Sequence, residues 1–246
     1  MSGAVRPPWI NKEDFYHLPF NYCDRWCERC DLTEICRVFQ DEQKSRKKFI
    51  KQGKDPDSWE YVFETVRDNL EKTMKLIEKG AKRWRIDLSK IDDSDYQPQP
   101  RPQKFPLYNL VEKFSKSLEK LLKNLEMVPI ETDGRLVLEN REVISHYRFL
   151  ILAKTYRALT SKLEEDKDKD KDDQTFDSKT SAFIVVNGLM SISEALANLT
   201  KHRPLQPLKS RMVRLGKTSL DLAKVINSQF NLGEDEENGR LFKWFE

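Results

Sequence analysis

Cys23, Cys27, Cys30 and Cys36 all fall within one short stretch, FNYCDRWCERCDLTEICRVF, and no other cysteine occurs in the chain. Four thiols crowded together in this way repel one another as thiolates unless a cation binds them. The spacing C-x3-C-x2-C-x5-C therefore reads as a metal centre with Cys23, Cys27, Cys30 and Cys36 as ligands. Zinc is the expected occupant. It takes four thiolates in a tetrahedron at about 2.3 Å, and the Cys27-x2-Cys30 pair suits one arm of such a site. A [4Fe–4S] cluster is the alternative, because it too takes four cysteines and often uses closely spaced runs. If residues 23–30 form a helix, Cys23, Cys27 and Cys30 share one face, which favours the bulkier cluster. Arg25, Arg29 and Arg37 are interleaved with the cysteines and would offset the residual negative charge of a metal–thiolate centre.

Two short patterns carry family resemblances. Cys23, Cys27 and Cys30 resemble the cluster signature of radical SAM enzymes, a resemblance that implies a β/α barrel and an open iron. Here a fourth cysteine is at hand and no alternation of strands and helices follows. Arg141-Glu-Val-Ile-Ser-His146 resembles the Arg-x4-His pair of HEPN ribonucleases, which are helical bundles, and implies attack on RNA at a dimer cleft with Arg141 and His146 as the active pair.

Composition narrows the classes. The chain has 246 residues, 38% apolar and 35% charged, and carries a net charge of +3 from 44 basic and 41 acidic side chains. That balance is foldable and gives no global argument for nucleic acid or membrane. With only 8 glycines, turn-rich β folds and glycine-rich phosphate loops are disfavoured. Two local basic patches, Lys44–Lys51 and Lys201–Lys217, are the places where nucleic acid would bind. The apolar stretches Phe149–Ala153 and Ala182–Val186 are far shorter than the roughly 20 residues a membrane span needs. MSGAVRPPWINKEDF has no apolar signal core. The expectation is a cytoplasmic protein without a membrane partner, where clustered cysteines hold metal rather than disulfides.

The elements expected to position these residues are helices. Residues 1–30 read as an extended arm carrying the first three cysteines. Residues 31–91 read as a two-helix N-terminal subdomain that includes Cys36. Asp31-Leu-Thr-Glu34 and Asp57-Ser-Trp-Glu60 both have capping-box spacing and open its two helices. In the second, Trp59, Val62, Phe63, Val66, Leu70, Met74, Ile77 and Trp84 recur in steps of three and four, the mark of a buried stripe. Residues 92–106 form a Pro-rich linker. Residues 107–230 fit a four-helix bundle. Its first helix buries Leu107, Leu110, Val111, Phe114, Leu118, Leu121, Leu122 and Leu125. A small hairpin is expected at Asp133-Gly134 within VPIETDGRLVL, followed by a helix over 140–163 that is apolar on two sides and therefore central. Asp166, Asp168 and Asp170 fall in a solvated loop, since Lys171 stands where a calcium loop needs glycine. Residues 231–246 form an acidic and aromatic tail.

The fold class expected is all-α, an antiparallel helical bundle with an N-terminal four-cysteine metal-binding cap and one small β-hairpin. The function expected is non-enzymatic: a metal-stabilised helical protein that binds another macromolecule, a protein first of all, and presents Trp9, Trp26 and nearby charges. Iron–sulfur redox or electron transfer is one alternative, and nucleic-acid binding or HEPN-like cleavage the other.

Overall fold

The computed structural model describes residues 3–90, 98–127, 134–165 and 172–233. These are almost wholly helical. Among the described residues β pairing is confined to one isolated antiparallel bridge, Ala4 with Cys23. The α-helices among the described residues are α1 (Lys12–His17), α2 (Arg37–Lys51), α3 (Trp59–Trp84), α4 (Pro106–Glu126), α5 (Gly134–Glu165), α6 (Asp172–Leu199) and α7 (Lys209–Phe230). The chain divides into two compact units. One joins the first 32 residues to everything from Pro100 onward, and the other is Thr33–Gln99.

In the larger unit α4 packs on α5 and α7, and α6 packs on α5 and α7, so the four helices close a ring. Pro106 opens α4 at a first-turn position, where its missing N–H costs nothing. The α4 stripe expected from periodicity is buried, except for Leu110, which is half exposed. α5 meets the core through Val137, Ile144, Tyr147, Ile151, Ala158 and Leu159. In α6 a continuous run, Ala182, Phe183, Ile184, Val185 and Val186, is buried, followed by Leu189, Ile192, Leu196 and Leu199. Burying each such aliphatic side chain contributes about 1.5–3 kcal/mol.

Small residues set the closest helix contacts. A Cβ placed on Gly188 of α6 would come within 2.9 Å of Tyr147 Cδ1 and 3.3 Å of Ile151 Cγ2 on α5. Three hydroxyls donate across helix pairs to main-chain carbonyls: Ser115 to Arg148 at 3.1 Å, Ser193 to Gly216 at 3.3 Å and Ser219 to Leu189 at 2.7 Å. These small polar residues also bear on the membrane expectation. Of these only Ser193 lies on α6, whose stretch Asp177–Leu199 has a mean hydropathy of 1.5, long and apolar enough by length and composition to cross a membrane. Within the protein 61% of that window is buried.

Three expectations are corrected. The second half of the supposed hairpin, Arg135–Leu138, is helical, because α5 already starts at Gly134; the first half, 128–133, lies outside the described residues. The helix expected just after Cys30 begins only at Arg37, with residues 31–35 in turns and Cys36 as its N-cap. The α3 stripe is not buried: Trp59, Phe63 and Trp84 are 76%, 68% and 73% exposed, and Val62, Val66, Leu70, Met74 and Ile77 are also exposed. Residues 92–97 of the linker, the Asp166–Asp170 loop and the terminal tail from 234 lie outside the described residues.

The smaller unit is tied at the α2–α3 junction. Ser58 caps α3 by accepting from Tyr61 N at 3.3 Å. Phe49 meets Tyr61 edge-on at 5.2 Å. Arg46 donates to Asp57 at 2.6 Å, and Lys54 reaches Glu60 at 2.8 Å and Glu64 at 3.1 Å. α3 ends where Arg85 adopts φ 58° and the Ile86 N–H bonds to Ala81 O at 2.8 Å, a left-handed cap that satisfies a terminal carbonyl.

The Gly188 contact gives a test. Glycine to alanine inside a helix ordinarily stabilises by about 1 kcal/mol. Gly188→Ala is expected instead to destabilise by about 1–3 kcal/mol through overpacking against Tyr147, read as a lower midpoint in urea or thermal unfolding.

Candidate functional site

The cysteine stretch is shaped by main-chain turns rather than by a helix. Residues 3–5 run antiparallel to residues 22–24: Val5 N–H donates to Tyr22 O and Asp24 N–H to Gly3 O, both at 3.4 Å. Cys23 is extended (φ −103°, ψ 157°). Arg25 then takes φ 63°, a left-handed conformation that costs a non-glycine residue roughly 1–2 kcal/mol. A single 3-10 turn spans Cys27–Arg29, closed by Cys30 N–H to Cys27 O at 3.2 Å. The segment is not α-helical, so the argument that one helix face gathers Cys23, Cys27 and Cys30 does not carry over.

None of the four cysteines is in a disulfide; Cys23 and Cys36 are buried, Cys27 and Cys30 half-buried. The Cys23 thiol donates to Phe20 O at 3.3 Å, and Leu32 N–H donates to Cys30 Sγ at 3.5 Å. Cys23 and Cys30 both border the arm. Cys23 is bridged to Ala4, and a Cβ on Gly3 would sit 3.1 Å from Cys30 Sγ. Gly3 has φ 109°, so both its conformation and this close approach require glycine. Cys36 lies six residues farther along, at the start of α2 in the other unit. Among the described residues no group of three or more His, Cys, Asp or Glu side chains is gathered as a metal site.

The polar centre of this region is Asp24, a residue that sequence reasoning passed over. It is 5% exposed. Its carboxylate accepts Gly3 N–H at 3.0 Å through each oxygen, Trp26 N–H at 3.0 Å and the Tyr147 hydroxyl at 2.5 Å. Its own carbonyl lies 3.0 Å from His146 Nε2. The bond to Trp26 N–H spans the left-handed Arg25 and supports it, as Asx side chains do in tight turns. No pattern in the sequence marks it: its partners Gly3 and Tyr147 lie 21 and 123 residues away. Burial first, then the neighbouring Asp24 charge, pushes the Tyr147 hydroxyl far above its ordinary pKa.

Above this hub lies an aromatic stack. Trp26 lies over His146 with centroids 4.3 Å apart, and the Arg29 guanidinium covers the Trp26 ring at 4.1 Å. Arg29 also pairs with Glu142 of α5. Trp26 is therefore buried, and Trp9 packs edge-on against Phe183 of α6 at 5.6 Å. The expectation that these two tryptophans are presented outward is corrected: both anchor the arm on the bundle. The HEPN-like pair is engaged likewise, His146 as above and Arg141 toward Glu126 at 3.7 Å. Of the other interleaved arginines, Arg37 pairs with Asp41 at 3.7 Å. Arg25 joins Arg157 in disfavouring charge on the half-buried Lys154, whose pKa falls chiefly through desolvation.

The basic patches are partly spoken for: Arg46 and Lys44 pair with Asp57 and Asp41, and Arg211 donates to Ser117 O at 3.3 Å. Among the described residues the large apolar side chains along α3 are exposed. Compared with protein-family models, curated proteins and solved structures, the chain matches none.

The Asp24–Tyr147 bond predicts a pH effect. A hydroxyl whose pKa is raised on folding keeps its proton in the native state while the unfolded chain loses it above about pH 10. Stability is then full below that pH and falls above it, by up to about 1.4 kcal/mol per pH unit. Wild type is expected to lose stability above pH 10 more steeply than Tyr147→Phe in urea titrations. Asp24→Ala, which strands three donors, is expected to cost about 3 kcal/mol or more at neutral pH.

Proposed function

We propose that this chain is a non-enzymatic, metal-stabilised helical protein that works by binding another macromolecule, a protein first of all, in the reducing cytoplasm. The observation that carries the reading is α3. It is 26 residues long, or about 39 Å at 1.5 Å per residue, and its apolar stripe faces outward from end to end. Single exposed apolar residues need no explanation, but a contiguous stripe that includes two tryptophans marks an interaction surface.

The metal part of the proposal rests on the four thiols, none of them in a disulfide, and on the arm residues Gly3 and Ala4, which both Cys23 and Cys30 border. Zinc at Cys23, Cys27, Cys30 and Cys36 would supply stability to a segment that buries little apolar area. The [4Fe–4S] alternative uses the same ligands and would add one-electron chemistry.

Anaerobically purified, reduced protein is expected to hold one zinc per chain, with Cys27→Ser losing the metal and the order of the N-terminal segment while α4–α7 stay helical. Brown protein with about four irons per chain would move the reading to the cluster, and neither metal in stoichiometric amount would remove the centre. For the binding role, a photo-crosslinking residue in place of Leu70 is expected to give discrete covalent protein adducts in cells expressing the chain. No adduct at this position would overturn it.

A further inference from the structure

The face of α3 is patterned for one particular partner. Trp59, Phe63, Val66, Leu70, Thr73, Ile77, Gly80 and Trp84 alternate in steps of four and three throughout, the repeat of a two-stranded coiled-coil seam. Apart from Thr73 and Gly80 all of these are large exposed residues, and Val62, Met74 and Leu76, exposed as well, flank the seam. Tyr61, on the opposite side, is the residue that packs on Phe49 of α2, so the junction leaves the seam open within its unit.

Charge divides the helix in two. From Trp59 to Glu71 the charged residues are Glu60, Glu64, Asp68 and Glu71, against Arg67 alone. From Lys72 to Trp84 they are Lys72, Lys75, Lys79, Lys82 and Arg83, against Glu78 alone. Acidic residues near a helix N-terminus and basic ones near its C-terminus suit the helix dipole, but that effect fades within the terminal turns. Asp68, Glu71, Lys72 and Lys75 stand in the middle, beyond its reach.

We infer that α3 pairs with α3 of a second copy of this chain, antiparallel, about a two-fold axis near the Glu71–Lys72 bond. The inference rests on the binding role proposed above and names its partner. In this orientation the acidic half of each helix lies along the basic half of the other. At the edge of the seam this sets Glu60 opposite Arg83 of the other copy. The outer charges, Asp68 and Lys75 among them, add a longer-range bias against a parallel pair, in which the like-charged halves would lie side by side.

The seam also matches itself. Antiparallel registration about that centre sets Trp59 opposite Trp84, Val66 opposite Ile77 and Leu70 opposite Thr73. It sets Phe63, the bulkiest interior residue, opposite Gly80, where an added Cβ would meet nothing within 4 Å in the chain itself. Each contact occurs twice, as an isologous interface requires.

The test uses the full chain in reducing buffer, so that no disulfide between chains contributes. Sedimentation equilibrium is expected to give a dimer. Leu70→Glu with Ile77→Glu, both at exposed positions, is expected to weaken self-association at least a hundredfold with helix content by circular dichroism unchanged. A photo-crosslinking residue in place of Val62 is expected to join residues 79–86 of the other chain, located by mass spectrometry. Adducts near residue 62 itself would mean a parallel pair and overturn the inference. So would a wild-type chain that stays monomeric at tens of micromolar, or a dimer unaffected by the double substitution. If the monomeric chain still forms α3 adducts with a different protein, self-pairing fails and the binding role stands; if α3 forms no adduct at all, both fail.

Discussion

The Asp24 carboxylate is the constraint on which the N-terminal region rests. Residues 3–32 contribute a minor apolar cluster of their own, Ile10, Phe15 and Tyr22, too little to repay the entropy of ordering some thirty residues. A buried carboxylate surrounded by donors alters that balance. Hydrogen bonds to an ionised group contribute about 1.5–3 kcal/mol each, and here they draw in Gly3 from the arm, Trp26 from the cysteine loop and Tyr147 from α5. Because Cys23 is adjacent to Asp24 and Cys27 lies three residues on, the positions of these thiols follow from this bond network. The Trp26–His146 stack and the Arg29–Glu142 pair add further ties between this segment and α5.

The bundle was largely legible in the sequence, and the reason is periodicity. Leu107, Val111, Phe114, Leu118, Leu121 and Leu125 repeat at helical spacing, and a stripe that dense has to face a core. The same logic applied to Trp59–Trp84 identified the shared face correctly and its burial wrongly. Periodicity says which side chains point together; whether anything covers them depends on the rest of the fold. Local turn signals were weaker still. Asp133-Gly134 is a good hairpin turn in isolation, but the residues that follow continue a 32-residue helix packed on two neighbours, and tertiary packing outweighs a dipeptide preference. Asp31-Leu-Thr-Glu34 has the spacing of a cap, yet the chain stays in turns until Cys36. Asp24 was not legible because one Asp among many charged residues carries no pattern; its importance comes from Tyr147, more than a hundred residues away.

The arm also changes what the cysteine stretch is attached to. Read along the chain, it looked like an appendage of the two helices that follow. In the fold, Trp9 lies against Phe183 of α6, and Trp26 against His146 and Tyr147 of α5. The first three thiols are thereby held on a rigid helical scaffold, which favours a site of defined geometry over one left to a loop.

Ser115, Ser193 and Ser219 have a consequence beyond filling space. Leucine-rich helix faces tolerate sliding by one turn, since ridges and grooves repeat at that interval. A hydroxyl that must find one carbonyl on the neighbouring helix does not. The bonds to Arg148, Gly216 and Leu189 therefore act as vernier marks that set the axial alignment of α4 on α5 and of α6 on α7. The connecting segments are thus relieved of that duty: their length can drift in evolution while the helices keep their places.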